Sequence, residues 1–346
     1  MNRSFIFRKI GVLATLCAMF FTSCENSIIF DGEGDCEVQY RVKFKYDNNM
    51  KFADAFSKEV TSVALYIFDK NGTLVHQGTE SGDALAAEDY SMPVELETGE
   101  YELLAWCGIG NGESFTVPAA EIGVTTKEEV VCQMNTRNEN GTNIVDEDLK
   151  PLFHGQSELV IGEEPGIHYQ PLSLTKNTNV VRVVLQQLSG ERMDGELFSF
   201  EIQDHNSYMA HDNSLEGDEL VVYKPWNFTA GNADINADTY KSNETRTGTS
   251  VGVTVAEMTT GRLVEDNRPI LVVRNLQEDK VVLSIPLIDY ALLVKGYYNK
   301  DMDNQEYLDR QDEYNMTFFL DESGNWISSS IIINSWRVVL DNQSIN

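Results

Sequence analysis

Apolar and polar positions alternate without a break through "EVQYRVKFKY", residues 37–46. Val38, Tyr40, Val42, Phe44 and Tyr46 face one way; Glu37, Gln39, Arg41, Lys43 and Lys45 face the other. Period two over ten residues predicts a half-buried strand. Next, "VTSVALYIFDKNGTLVHQG" places two apolar runs around Lys70-Asn71-Gly72, and Asn-Gly between such runs is a strong hairpin cue. Residues 92–96, a turn at Thr98-Gly99, and "EYELLAWCG" predict two more strands, and 130–134 another. Helical periodicity is weak here, with 54–59 amounting to a turn or two. Residues 135–150, "NTRNENGTNIVDEDLK", are polar and uneven and read as a long loop.

A second strand set begins near Leu172. It runs through "NVVRVVLQQL", "ELFSFEIQ", "ELVVYK", "TSVGVTVAEM", "PILVVRNL", "KVVLSIPL", "YNMTFFL" and "SIIINSWRVVL". Residues 225–248, rich in Asn, Thr, Ala and Gly, read as an irregular surface loop, while 287–294 and 304–312 read as short helices or crossovers. The pattern predicts an all-β chain of two tandem β-sandwich domains, 36–165 and 166–346.

The first residues have a different pattern. Arg3, Arg8 and Lys9 precede a twelve-residue apolar run, 10–21, and the small pair Thr22-Ser23 abuts Cys24. The run is short of the roughly 18–20 residues of a spanning helix and has the layout of a secretory signal peptide, residues 1–23. Phe21-Thr22-Ser23-Cys24 resembles a bacterial lipobox, in which the cysteine is acylated after cleavage. An uncleaved anchor, or an ordinary signal peptide with an incidental cysteine, are the other readings. Residues 24–35, with Asp31, Glu33 and Asp35 among glycines, read as a flexible acidic tether.

Charge and composition narrow the class. The net charge of −29 becomes −32 without Arg3, Arg8 and Lys9, which argues against nucleic acid and against docking on anionic headgroups. With 42% apolar and 10% aromatic residues the chain is not disordered. Cys24, Cys36, Cys107 and Cys132 survive leader removal. No zinc spacing is present, so a Cys36 disulfide to Cys107 or Cys132 and buried free thiols both stay open.

Candidate chemistry is sparse. Gly248-Thr249-Ser250-Val251-Gly252 fits G-x-S-x-G, but a strand-like stretch follows it and all five histidines lie upstream. Asp301, Asp303 and Glu306 in "DMDNQE" lack the glycine and terminal glutamate of a calcium loop. "GIGNG" (108–112) opens no helix and reads as a tight loop. Trp106 and Trp336 sit inside strand patterns and are expected in the core. Trp226, in "KPWNF", is the best candidate for an exposed ligand-stacking aromatic, with Trp326 behind it. No catalytic residues, cofactor or metal are expected.

"CEVQYRVKFKYDNNMKFADAF", "VTSVALYIFDKNGTLV" and "LETGEYELLAWCG", followed by "PLFHG", "EYLDRQDEYNMTFFLD" and "IIINSWRVVL", resemble the anchor and minor-subunit family of Bacteroidetes (type V) fimbriae. Ser335 stands where that pattern leads one to expect Gly before the Trp. The resemblance implies transthyretin-like sandwich domains, lipoprotein export to the outer membrane, and a place in a pilus that supports adhesion. It also implies donor-strand-type β-augmentation with stalk subunits, whose first strand an Arg-directed protease removes. No Arg or Lys lies between Cys24 and Arg41, so this chain is expected to keep lipid and first strand and to act as anchor. A tip adhesin with a host or bacterial surface receptor, and a non-fimbrial glycan-binding lipoprotein, are the alternatives.

Overall fold

The computed structural model describes residues 38–110, 112–187, 193–235, 249–296 and 299–339; the leader, the tether, Cys24 and Cys36 lie outside them. The first strands are β1 (Val38–Lys45), β2 (Ser62–Asp69), β3 (Leu74–Ser81), β4 (Met92–Val94), β5 (Gly99–Cys107) and β6 (Phe115–Thr116). Then come β7 (Cys132–Met134), β8 (Arg137–Glu139), β9 (Thr142–Val145), β10 (Phe153–Ile161), β11 (Gly166–Ser173) and β12 (Thr175–Lys176). The second half brings β13 (Thr178–Gln187), β14 (Phe198–Asp204), β15 (Tyr208–Met209), β16 (Val221–Tyr223), β17 (Asn227–Ile235) and β18 (Thr249–Gly261). It closes with β19 (Ile270–Asn275), β20 (Lys280–Pro286), β21 (Glu313–Leu320), β22 (Trp326–Ile333) and β23 (Trp336–Val339). The α-helices are short: α1 (Phe56–Glu59), α2 (Leu287–Leu292) and α3 (Asn304–Arg310). None among the described residues is long and apolar enough to cross a membrane. Residues 38–39 with 163–168 form a small unit of their own; 40–162 and 169–339 belong to the other.

The chain is all-β, and its sheets run β11-β1-β4, β12-β10-β5-β2-β3, β17-β18-β13-β21-β22-β23, β20-β19-β14-β16-β9-β8 and β15-β7-β6. In the five-stranded sheet the central strands β2 and β5 are buried on both faces. Val63, Leu65, Ile67, Leu103, Ala105 and Cys107 enter one core with Val42, Phe44 and Tyr46. Ala64, Tyr66, Phe68, Leu104 and Trp106 enter another, shared with β13, β14, β19, β21 and β22. Two covered faces explain why "SVALYIF" is continuously apolar rather than alternating.

Three sequence expectations change. The polar stretch 135–150 holds the β8–β9 hairpin, turned at Asn140 (φ 53) and Gly141 (φ 87). Both residues are left-handed, as a two-residue hairpin turn of this hand requires; the cue that marked Asn71-Gly72 recurs there. Residues 227–235, read as loop, form β17, paired along its length with β18. The sheets also do not part at 165/166: β8 and β9 join the sheet of β14, while β12 joins that of β5.

Candidate functional site: the first strand and the C-terminal edge

The alternation in β1 does what its period implies. Val42 and Phe44, with Tyr46 just beyond the strand, are each 1% exposed. Phe44 stacks on Phe56 (5.8 Å) and Tyr90 (6.3 Å), and Tyr46 meets Phe153 edge-on at 5.0 Å. Burial, with Asp312 and Glu59 nearby, pushes the Tyr46 phenol far up. Each such buried side chain is worth about 1.5–3 kcal/mol, so a fold that lost this strand would need another to fill its place. Arg41 lies on the opposite face. Its Nε donates to Ser91 Oγ at 2.8 Å and its Nη2 to the Ser91 carbonyl at 2.5 Å, while its backbone stands opposite Pro93 of β4. The first basic residue after Cys24 is thus built into a central strand.

The other end of the chain is built in the opposite way. β22 and β23 form a hairpin with Ile333 opposite Trp336, turned at Asn334 (φ 46) and Ser335 (φ 71). Among the described residues β23 is the edge of its six-stranded sheet, and Trp336 is 63% and Val339 65% exposed. An edge strand carrying apolar side chains and unpaired backbone groups is a template for a further strand.

The tryptophans therefore swap roles. Trp336, expected in the core, is the exposed one, because on β23 its side chain points to a face that no other described residue covers closely. Trp226 is half-buried, and its Nε1–H donates to Thr259 Oγ1 at 3.1 Å. Trp326 packs edge-on against Phe318 at 5.7 Å. Trp106 is fully buried, its ring 4.7 Å from that of His154. His154 is the histidine of "PLFHG"; its Nε2–H donates to the His211 carbonyl at 2.8 Å, and burial lowers its pKa to about 4, so it is a neutral core group.

The remaining candidates are structural as well. Cys107 and Cys132 are buried in different cores, so they do not pair with each other, and burial raises both pKa values; Cys36, the other partner considered for each, lies outside the described residues. Asp303 caps α3 through Oδ1, which accepts from Glu306 N at 2.6 Å, and Glu306 pairs with Arg310 at 2.9 Å. No group of three metal-ligating side chains occurs among the described residues. Thr249-Ser250 lies in β18 opposite Asp234 and Ile235, with no strand-to-helix elbow. In "GIGNG", Gly108 has φ +94, and a Cβ there would stand 1.9 Å from the Pro151 carbonyl oxygen, so the loop is a close crossing of two chains. The block "EYLDRQDEYNMTFFLD" forms joints: Arg262 pairs with both oxygens of Asp309 (2.8 and 2.7 Å), and Lys176 sits between Asp312 (2.7 Å) and Glu59 (3.2 Å).

The described residues define an all-β protein with a buried first strand and an exposed last one. Residues 33–342 match the family of fimbrillin-A associated anchor proteins Mfa1 and Mfa2, and the chain belongs to that family. It is 28% identical over 173 residues to the minor fimbrium anchoring subunit Mfa2 of Porphyromonas gingivalis, a match over 48% of this chain and 51% of that protein. The chain thus spans about half the length of that curated relative. A candidate adhesin of Bacteroides thetaiotaomicron is similar with a TM-score of 0.76 and 32% identity, over 87% of this chain and 97% of that one. The fimbrial anchor protein Mfa2 of P. gingivalis shares the fold, with a TM-score of 0.64 and 16% identity over 88% of this chain and 100% of that one.

Proposed function

We propose that this chain is the anchor of a fimbria: lipidated at Cys24, held in the outer membrane and exposed at the cell surface, it ends the polymer at its base. It keeps its own first strand and offers the β23 edge to the nearest stalk subunit, which pairs with it by β-augmentation. Its sandwiches are of the transthyretin-like kind, in two domains that share strands across the 165/166 boundary. The observation that carries this reading is the placing of Arg41. Arg-directed proteolysis needs an extended, unpaired segment, and the backbone at Arg41 pairs with β4 while its side chain is held by Ser91. Membership of the anchor family supports the same role.

The test is digestion of the mature protein with an Arg-specific protease. The expected result is an N-terminus that still begins at Cys24 under conditions where a stalk subunit is trimmed. Clean removal of the segment before residue 42, with the circular dichroism spectrum unchanged, counts against the anchor role. The similarity to a candidate adhesin favours one other reading, a subunit at the fibre tip. Immunogold labelling separates the two: gold at fibre bases means anchor, and gold at distal ends means tip.

A further inference from the structure

The loop at 47–53 is fixed at almost every point. Asn49 Nδ2 donates to the Tyr46 and Ala53 carbonyls, each at 2.8 Å, and its Oδ1 accepts from Lys51 N at 3.0 Å. Phe52 N–H donates to the Asn49 carbonyl and Met50 N–H to the Arg310 carbonyl, both at 3.1 Å. The outcome of this framework is Phe52 at φ 51 with its side chain 61% exposed. A bulky residue in the left-handed region costs about 1–2 kcal/mol, and an exposed ring returns little burial. Asparagine or glycine fits the same backbone at lower cost. The Arg310 guanidinium lies 4.9 Å from the ring centroid, a contact worth about 0.5–1 kcal/mol at an exposed site, which does not offset both losses. Strain held in place by an over-determined frame is the kind found at binding sites.

The ring walls a concavity of about 390 Å³, lined also by Asp47, Asn48, Ser173, Thr175 and Arg310. That volume lies within the range of small-molecule sites, about 300–1,000 Å³. Its orientation is fixed: Asn48 Nδ2 donates to Thr175 Oγ1 at 2.9 Å, and Arg310 is held by Glu306 at 2.9 Å and the Asp47 carbonyl at 3.3 Å. One aromatic ring beside a carboxylate, an amide and two hydroxyls suits a sugar. The C–H face of a pyranose packs on the side of the exposed ring that Arg310 does not cover, and its hydroxyls exchange hydrogen bonds with the polar rim. An anionic ligand is disfavoured, because Arg310 is already paired and the chain carries −29 charges. We infer that the Phe52 pocket binds a neutral saccharide. This site is independent of the anchor reading, because it uses neither β1 nor β23.

Saturation-transfer NMR on the mature chain with lactose, maltotriose and mannotriose tests the site. Transfer from aromatic protein protons to hexose ring protons is expected for at least one sugar. Phe52→Asn, which tolerates the left-handed turn, is expected to keep or raise Tm while weakening that sugar at least tenfold. Trp226→Ala is expected to leave its binding within twofold. No transfer to any of the three sugars overturns the proposal, as does binding that survives Phe52→Asn or disappears with Trp226→Ala.

Discussion

Ser335 occupies a backbone conformation (φ 71) that L-residues with a side chain avoid, in a two-residue turn where glycine is the usual second residue. Relieving that strain predicts that Ser335→Gly stabilises the protein by about 0.5–1 kcal/mol, read as a higher urea midpoint at unchanged slope. Asp204 is the second residue under tension. It is 1% exposed; its Oδ1 accepts from Asn267 at 2.6 Å and His205 N at 2.8 Å, and Oδ2 is buried with no hydrogen-bond partner among the described residues. Burial outweighs those two bonds and raises its pKa to about 7. The folded state therefore binds the proton more tightly than the unfolded one, and this group's contribution to stability falls as pH rises from about 4 to 7. Asp204→Asn is expected to flatten that slope, so that the loss of Tm between pH 5 and pH 8 shrinks; an unchanged difference refutes the assignment. Neither residue was readable in advance as strained. Ser335 stands out only against the family pattern that the flanking blocks resemble, and nothing near Asp204 in the sequence marks it as buried.

At the scale of elements, period and apolar runs identified the strands that pack, and failed where packing is not what makes the strand. β8 reads "RNE" and is exposed throughout; β17 reads "NFTAGNADI" and lies at a sheet edge. Both exist through pairing with a neighbour rather than through packing, which leaves no periodicity behind; for β8 the local signal is the Asn140-Gly141 turn that joins it to β9. The same blindness misplaced Trp336, since "IIINSWRVV" looks alike at an edge and in a covered strand. The edge position makes a prediction. Trp336→Lys removes an apolar surface without opening a core, so Tm is expected to stay within about 2 °C. Capture of stalk subunit in a pull-down is expected to drop at least tenfold, because a lysine on an edge opposes strand addition. Retention of full capture would assign the docking surface elsewhere.

At the scale of the molecule, the two halves trade strands across the boundary that composition suggests. β12, from residues 175–176, completes the sheet of β5, and β9, from residues 142–145, pairs in parallel with β16. Fragments 38–165 and 166–339 are therefore each expected to lack native near-ultraviolet dichroism when expressed alone, and the intact chain to melt in one calorimetric transition. Two resolved transitions would contradict the coupling. The parallel pair β13–β21 has a further consequence, in time rather than in space. Val180 stands beside Glu313, so the central ladder of the six-stranded sheet closes a loop of about 130 residues. Contacts this distant in sequence make folding slow, and they cannot form until the last part of the chain has emerged. β23 is carried by β22, which is carried by β21. A copy cut short before β21 therefore lacks the β22–β23 hairpin altogether, and on the proposed anchor role it is expected to fail to capture a stalk subunit.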